Sequence, residues 1–212
     1  MTSTADTARG LLARCAFPPA GTAAVSGGAD STALLVLAVE AGCDVTAVHV
    51  DHGLRSGSAT EADHVADLAR DLGVPFRAER VVVEPGPNLE ARARDARRAV
   101  LGPGAMTGHT ADDRAETLLL QLVRGAGTTG LAAIRPGPTK PILDLRRHET
   151  RALCAERGLG VVDDPSNADP AFRRNRVRAE VLPLLDDIAE RDVTPLLARA
   201  SVGSRPAARS SR

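Results

Sequence analysis

Residues 22–37 read Thr22-Ala23-Ala24-Val25-Ser26-Gly27-Gly28-Ala29-Asp30-Ser31-Thr32-Ala33-Leu34-Leu35-Val36-Leu37. An apolar run enters a glycine turn, and a second apolar run leaves it, which predicts a strand at Thr22–Ser26 and a helix at Ser31–Glu40. Paired glycines let the main chain approach a ligand closely. The start of the helix adds partial positive charge and backbone N–H donors. Together they make the Ser26–Ser31 turn a candidate site for phosphate or pyrophosphate. It is not a Walker A loop, which ends in Lys-Ser/Thr. The single lysine of the chain, Lys140, is far away in sequence. A P-loop kinase or GTPase is therefore excluded.

Outward from this turn, apolar runs alternate with helical patterns, the mark of βαβ units and a mostly parallel sheet. Further strands are expected at Asp44–Val50 and Ala78–Val83, with a short one near Ala105–Gly108. Helices are expected at Ala59–Leu72, Leu89–Val100 and Asp112–Val123, each with apolar positions at three- and four-residue spacing. The Pro/Gly stretch Arg135–Pro138 reads as a turn leading to Pro141–Leu145, and a helix is expected over Glu149–Arg157. Asp163–Asn167 has turn chemistry. Val177–Ile188 again looks helical, with Pro183 as an interruption, and Ser-Arg-Pro-Ala composition from Ser201 onward reads as a disordered tail. The expected fold is α/β, a doubly wound, mostly parallel five-stranded sheet with helices on both faces and a short helical C-terminal extension. Its expected divisions are an N-terminal helix or tail (1–18), a catalytic domain (19–190) and a C-terminal tail (191–212).

At 212 residues, the chain has room for one sizeable domain and a small appendage. Basic and acidic residues balance at 27 each, so no global field points to nucleic acid. Arginine nearly replaces lysine, which reads as genome composition. Three phenylalanines are the only aromatic residues, which disfavours base stacking on aromatic platforms. Cys15, Cys43 and Cys154 form no Cys-x-x-Cys pair, which argues against a zinc ribbon or a locally spaced iron–sulfur site and for free thiols in a reducing compartment. The first ten residues lack an apolar signal core, and no window reaches membrane-spanning length. A soluble, cytoplasmic protein is expected, with no membrane partner.

In an open α/β sheet, ligands bind beyond the carboxyl ends of the strands. Four features are expected there: Ser26–Ser31, Val50-Asp51-His52-Gly53-Leu54-Arg55, Asn88–Arg94 and Gly108–Thr117. The last is dense in acids. Asp112 and Asp113 open a helix, and Glu116 follows at i+4 and i+3, gathering carboxylates on neighbouring positions. Such a cluster suits Mg²⁺ or a substrate ammonium, although Asp112 or Asp113 can equally cap the helix. His49 and His52 fall on opposite faces of a strand, which opposes joint metal ligation. His49 is read as a strand residue, His52 as a loop residue shaping the nucleotide pocket, and His109 as the histidine expected to take part in the chemistry.

Ser-Gly-Gly-x-Asp-Ser resembles the pyrophosphate-binding loop of the N-type ATP pyrophosphatases, a superfamily that includes GMP, NAD and argininosuccinate synthetases and several tRNA-modifying enzymes. Val-Asp-His-Gly-Leu-Arg at 50–55, His-x-x-Asp-Asp-x-x-Glu-Thr at 109–117, Leu122-Val123-Arg124-Gly125, and Asp-Pro-Ser-Asn followed by Arg-Asn-x-x-Arg narrow the likeness. In this order they resemble the tRNA(Ile)-lysidine synthase family over about residues 20–185. The resemblance implies an adenine nucleotide alpha hydrolase-like fold and a ligase forming a C–N bond. ATP adenylates C2 of the wobble cytidine in a CAU-anticodon tRNA(Ile), pyrophosphate leaves, and the ε-amine of free lysine displaces AMP.

On that resemblance, ATP is held by Ser26, Gly27, Gly28, Ala29, Asp30 and Ser31 with His52 and His109. Mg²⁺ is shared by Asp30 and an acid of the Asp112-Asp113 pair, taken as Asp113. Lysine is held by Asp112, Asp113 and Glu116. Asp30, Arg94, Asp113 and Glu116 carry the chemistry, with Arg94 stabilising developing negative charge. Arg55, Arg124, Arg173, Arg174, Arg176 and Arg178 contact tRNA phosphates, which position but do not specify. The chain departs from the family in three places: Arg98 replaces a common aromatic residue, Arg114 stands where glutamine is usual, and the connection from Leu89–Val100 to the next strand is short. It also ends at Arg212, where longer members add tRNA-gripping domains, so a catalytic-domain-only form or a truncated reading frame is expected. Two other readings stand beside the ligase. One is another adenylating enzyme such as a thiolase, against which the lack of Cys-x-x-Cys counts. The other is a nucleotide-binding protein without ligase activity.

Overall fold

Strand β1 spans Ala20–Ala24 and passes through Val25–Gly28 into helix α2, Ala29–Glu40. In this computed structural model residues 4–51, 58–81, 89–127 and 134–201 are described. Before β1 lies α1 (Thr4–Leu12), and after α2 come β2 (Asp44–Asp51), α3 (Ser58–Asp71), β3 (Phe76–Arg80), α4 (Leu89–Leu101) and β4 (Met106–Thr107). Helices α5 (Ala111–Val123), α6 (Arg147–Glu156), α7 (Arg173–Arg176), α8 (Leu182–Ala189) and α9 (Thr194–Ala200) complete the order. The chain divides into two compact units, Met1–Gly108 with Pro136–Asp163 and His109–Arg135 with Asp164–Arg212.

In the first unit the strands are parallel in the order β3-β2-β1-β4, with Ala23 beside Met106 and Ala24 beside Thr107. Helices lie on both faces. The order reverses at β1, so the crevice where such sheets bind ligands opens between the ends of β1 and β4. Helix α2 is apolar all round, and every residue from Ser31 to Ala38 is buried, as expected of a helix enclosed on all sides. It packs on β1 and β2 and is covered by α6. The expected strands and helices around the turn are present, with no end moved by more than three residues.

The sheet has four strands among the described residues, not the expected five. On the outer side of β4 the chain supplies one backbone bond, Thr107 N–H to the Thr139 carbonyl at 3.0 Å. Pro136, Pro138 and Pro141 flank that contact, and prolines donate no ladder hydrogen bonds, so pairing stops there.

The second unit is helical. Ala115 of α5 packs with Val177, Leu182 and Val193, and Leu119, Leu120, Leu185 and Leu197 close around them. Residues 177–181 form a π-helical turn leading into α8. Pro183 lacks the N–H that would bond one turn back, so the chain widens before it instead of breaking. Helix α9 lies inside the stretch expected to be a tail. Its Thr194 and Ala198 are buried, and α9 packs along α5. Its apolar pattern is only seven residues long, too short to assert itself against the surrounding polar composition.

Gly108, just after β4, lies directly on the first turn of α2. A Cβ there would stand 2.7 Å from the Asp30 carbonyl oxygen and 3.0 Å from the Ser31 nitrogen, both backbone atoms that cannot swing aside. Gly108→Ala is expected to cost about 1–3 kcal/mol by forcing β4 and α2 apart. Gly104→Ala, where a Cβ meets nothing within 4 Å, should stay within about 0.5 kcal/mol of the parent. Chemical denaturation of the two variants checks this.

Candidate functional site

The Ser26–Ser31 turn is held by its own side chains. Ser31 Oγ accepts from the Ser26 N–H at 3.2 Å and donates to the Gly28 carbonyl at 2.9 Å, and the two serine hydroxyls lie 3.2 Å apart. Thr32 Oγ1 donates to the Gly27 carbonyl at 3.3 Å, and the Val162 N–H donates to that same carbonyl at 2.9 Å. Gly27 has φ +86°, and a Cβ there would meet Val162 Cγ2 at 2.9 Å, so backbone and packing both require glycine. Gly28 differs. Its φ of −69° suits any residue, and a Cβ would make only ordinary contacts at 3.8 Å. The folded chain itself does not need glycine at 28, which leaves close approach of a ligand as the physical reason for it. Gly28 is also the N-cap of α2 and offers no side-chain cap, so the first-turn amides are not closed off by a capping side chain.

Asp30, in the first turn of α2, is gripped from α6. Thr150, fully buried, donates its hydroxyl to Asp30 Oδ1, and Arg147 Nε lies 3.5 Å from Asp30 Oδ2. The start of α6 is fastened by Glu149, which accepts the Arg146 N–H at 2.8 Å and binds Arg14 at 2.5 Å. Burial opposes the charge on Glu149, but bonds from Arg14 and Arg146 outweigh it, and the carboxyl titrates below its ordinary range. Cys154 lies one turn further along α6 from Thr150, with Sγ 3.5 Å from the Ala29 carbonyl. Burial, with Asp30 adding, pushes its thiol up to about 11, and burial likewise pushes Cys15 up to about 11.

The acid motif lies in the second unit. Asp113 Oδ2 accepts from the Thr110 N–H at 2.7 Å and Thr110 Oγ1 at 3.0 Å, so Asp113 closes the start of α5. Glu116 is fully buried. Its Oε2 accepts from Arg174 Nε at 2.6 Å and its Oε1 from Arg178 Nε at 2.7 Å, while Arg174 also reaches Asp113 Oδ1 at 2.8 Å. Helical spacing sorts the arginine run, because residues four apart share a face. Arg174 and Arg178 turn to Glu116. Arg176 turns the other way and forks onto Glu180 at 2.9 and 2.8 Å. Arg173 and Arg124 are exposed. Asn175 ties the preceding turn down, donating to the carbonyls of Ser166 at 2.7 Å and Asp169 at 2.9 Å, while Asp164 accepts the Ser166 N–H at 2.8 Å. Arg114 is buried and reaches Ser201 Oγ at 3.4 Å, a bond at the end of α9.

Ser26, Gly27, Gly28, Ala29, Asp30 and Ser31 thus come together in the first unit. Asp113, Glu116, Arg174 and Arg178 come together in the second, with Asp112 and His109 half-buried nearby in sequence. His49 is buried, with Nδ1 3.0 Å from the Val25 carbonyl, the structural role expected of it. His52 and Arg55 lie outside the described residues, and Arg94 lies on α4 with its side chain outside them. Arg147 and Thr150 were not expected at Asp30. The helix carrying them was placed from Glu149, because Arg146 is not a capping residue type and gives no start signal.

A profile of the PP-loop domain matches residues 18–185. The chain belongs to the PP-loop family. Its sequence is similar to the tRNA(Ile)-lysidine synthases of Nocardia farcinica (47% identity over 190 residues, 85% of this chain and 60% of that one), Rhodococcus jostii (46% over 185 residues, 83% and 57%) and Mycobacterium leprae (43% over 194 residues, 86% and 60%). The chain spans about 60% of the length of these curated relatives. In fold it is similar to a U34-tRNA thiolase of Methanococcus maripaludis, with a TM-score of 0.70 at 16% identity over 93% of this chain and 76% of that one. An NMN synthetase of Francisella tularensis follows, at 0.53 and 14% over 100% and 99%.

The buried charge of Glu116 makes its network asymmetric. Replacing Arg174 and Arg178 together by alanine strands a carboxylate in the interior and is expected to cost about 3–5 kcal/mol. Glu116→Gln removes the buried charge and leaves two arginines that water can reach, for about 1–2 kcal/mol. Urea melts of both variants test the order, which a surface ion pair would not show.

Proposed function

We propose that this chain forms lysidine on a tRNA. The observation that carries the reading is 43–48% identity to tRNA(Ile)-lysidine synthases over most of the chain, joined to a PP-loop whose Gly28 is free of any steric need within the fold. The oxygen at C2 of the wobble cytidine attacks the α-phosphate of ATP, and pyrophosphate departs with the electron pair of the broken P–O bond. The lysine ε-amine then adds at C2 and AMP leaves, giving lysidine, which pairs with adenosine. The substrates are ATP, L-lysine and a CAU-anticodon tRNA(Ile), and the place of work is the cytoplasm.

In this reading the Ser26–Ser31 loop holds the β,γ-phosphates as the leaving group, placed for in-line departure. His52 and His109 border the nucleotide, and Arg94 meets charge developing at the α-phosphate. Asp112 and Asp113 hold the lysine, and Glu116, fully buried and bonded to Arg174 and Arg178, steadies that end of α5 without touching the lysine. Arg55, Arg124, Arg173 and Arg176 carry tRNA phosphates, with Arg174 and Arg178 dividing their charge between tRNA and Glu116. Mg²⁺ neutralises charge on the phosphates when bound. It is typically taken by one or two carboxylates plus substrate phosphates, and Asp30 and Asp113 are the proposed ligands. Among the described residues, no three His, Cys, Asp or Glu side chains gather to hold a metal. A sulfur-transfer alternative is disfavoured by the thiols: at about 11, Cys15 and Cys154 are neutral near pH 7 and poor nucleophiles.

Pyrophosphate release is measured with ATP, a CAU-anticodon tRNA(Ile) transcript and lysine added or withheld. Modification of the transcript that depends on lysine is the expected result, and ATP turnover indifferent to lysine would overturn the assignment. Asp113→Asn is expected to lose at least about 100-fold in lysine-dependent turnover, the size of one electrostatic contact to reacting groups. Because Asp113 also closes the start of α5, the same change should cost about 1 kcal/mol of stability.

A further inference from the structure

We propose that His64 of α3 is a positioning residue of the Ser26–Ser31 turn: it fastens the Gly160–Val162 segment against Gly27 and so aims the Gly28 N–H at a bound pyrophosphate. The inference rests on the reading of that turn as the pyrophosphate site and adds two elements that lie outside the glycine motif. Helix α3 packs on β2 and β3. From it, the half-buried His64 sets Nε2 2.9 Å from the Gly160 carbonyl oxygen. A carbonyl only accepts, so Nε2 carries the proton and donates. The ring lies so close to the Gly160 backbone that a Cβ there would stand 2.8 Å from His64 Cε1. Gly160 has no positive φ, so the imidazole is the steric reason for glycine at this position.

The segment that His64 holds comes from the end of α6. The chain turns at Gly158, φ +62°, and the Leu159 N–H returns to the Cys154 carbonyl at 2.9 Å while its side chain joins the core. Gly160 is exposed, and two residues further on the Val162 N–H donates to the Gly27 carbonyl at 2.9 Å. Val162 Cγ2 and His64 Cδ2 both stand over Gly27, 2.9 and 3.6 Å from where a Cβ would be. Thr32 Oγ1 reaches the same carbonyl at 3.3 Å. A trans peptide is planar, so its C=O and N–H point in opposite directions. Anchoring the Gly27 carbonyl toward Val162 therefore turns the Gly28 N–H away from Val162, as a donor for an anion at the turn. An untethered Gly27-Gly28 pair would sample many backbone states, all of which must be given up when an anion binds. His64 removes part of that cost before the ligand arrives.

The test is calorimetric titration of the full chain with inorganic pyrophosphate, ATP and AMP in buffer containing Mg²⁺. The parent is expected to bind pyrophosphate and ATP, and Gly28→Val to lose both, since a side chain at 28 fills the loop. His64→Leu keeps the bulk but not the donor, and His64→Gln returns an amide N–H at a similar reach. His64→Leu should weaken pyrophosphate and ATP about 3- to 10-fold, the range for one neutral hydrogen bond, and leave AMP within about twofold. His64→Gln should recover most of the loss. Gly160→Ala, which pushes the ring off the carbonyl, should match His64→Leu, and the two changes together should be no worse than either alone. A histidine that merely supported the fold would weaken all three ligands together. If the parent binds pyrophosphate and Gly28→Val does not, the loop assignment stands. This inference is then overturned by parent-like affinity in His64→Leu, by an equal loss for AMP, or by additive losses in the double variant. If the parent ignores pyrophosphate, or Gly28→Val binds it unchanged, the loop assignment falls and this inference with it. Should His64→Leu fold poorly, Gly160→Ala decides alone, and parent-like pyrophosphate affinity in it overturns the proposal.

Discussion

Helix α2 goes into the interior at Gly28 and stays there for nearly its whole length, and the first unit is organised around that burial. A helix buried on all sides cannot shift without opening the core. Its first turn therefore has one fixed position, set by Gly108 beneath the Asp30 carbonyl and by Thr150 at the Asp30 carboxylate. The consequence for chemistry is preorganisation. The amides and the carboxylate at the mouth of the turn are held by packing rather than by a ligand, so little ordering remains to be done when an anion arrives.

The second unit is organised around a buried charge. Glu116 lies fully inside and is neutralised by Arg174 and Arg178, with Arg174 shared by Asp113. A buried carboxylate with good partners adds little net stability but makes its partners obligatory. That explains the Arg-Asn-x-x-Arg spacing on this chain. The two arginines are one helical turn apart because both must reach the same carboxylate, and the asparagine between them fastens the Asp164–Asn167 turn. The arginine run, read as a surface for phosphate, is thus divided between an inward pair and an outward pair.

Local signals carried much of this. The glycine turn between two apolar runs, the alternation of strand and helix, and the acid cluster at the start of a helix are short-range patterns, and each lies where it was expected. The start of α6, the helix α9 and the sheet's stopping at four strands among the described residues were not legible. Arg146 is no capping residue, seven residues cannot declare a helix in isolation, and an edge contact blocked by prolines depends on which segment lies alongside β4.

The sequence by itself determined that a strand enters a glycine turn and leaves as a buried helix, and that this turn is of the PP-loop kind and not of the Walker kind. Those are properties of consecutive residues. Only the tertiary structure decided that Asp30 is held by Arg147 and Thr150, more than a hundred positions away, and that Glu116 is held by Arg174 and Arg178. The reason is physical. Pairing across such distances in sequence is set by which helices pack together, and packing depends on shape and burial that no local pattern encodes.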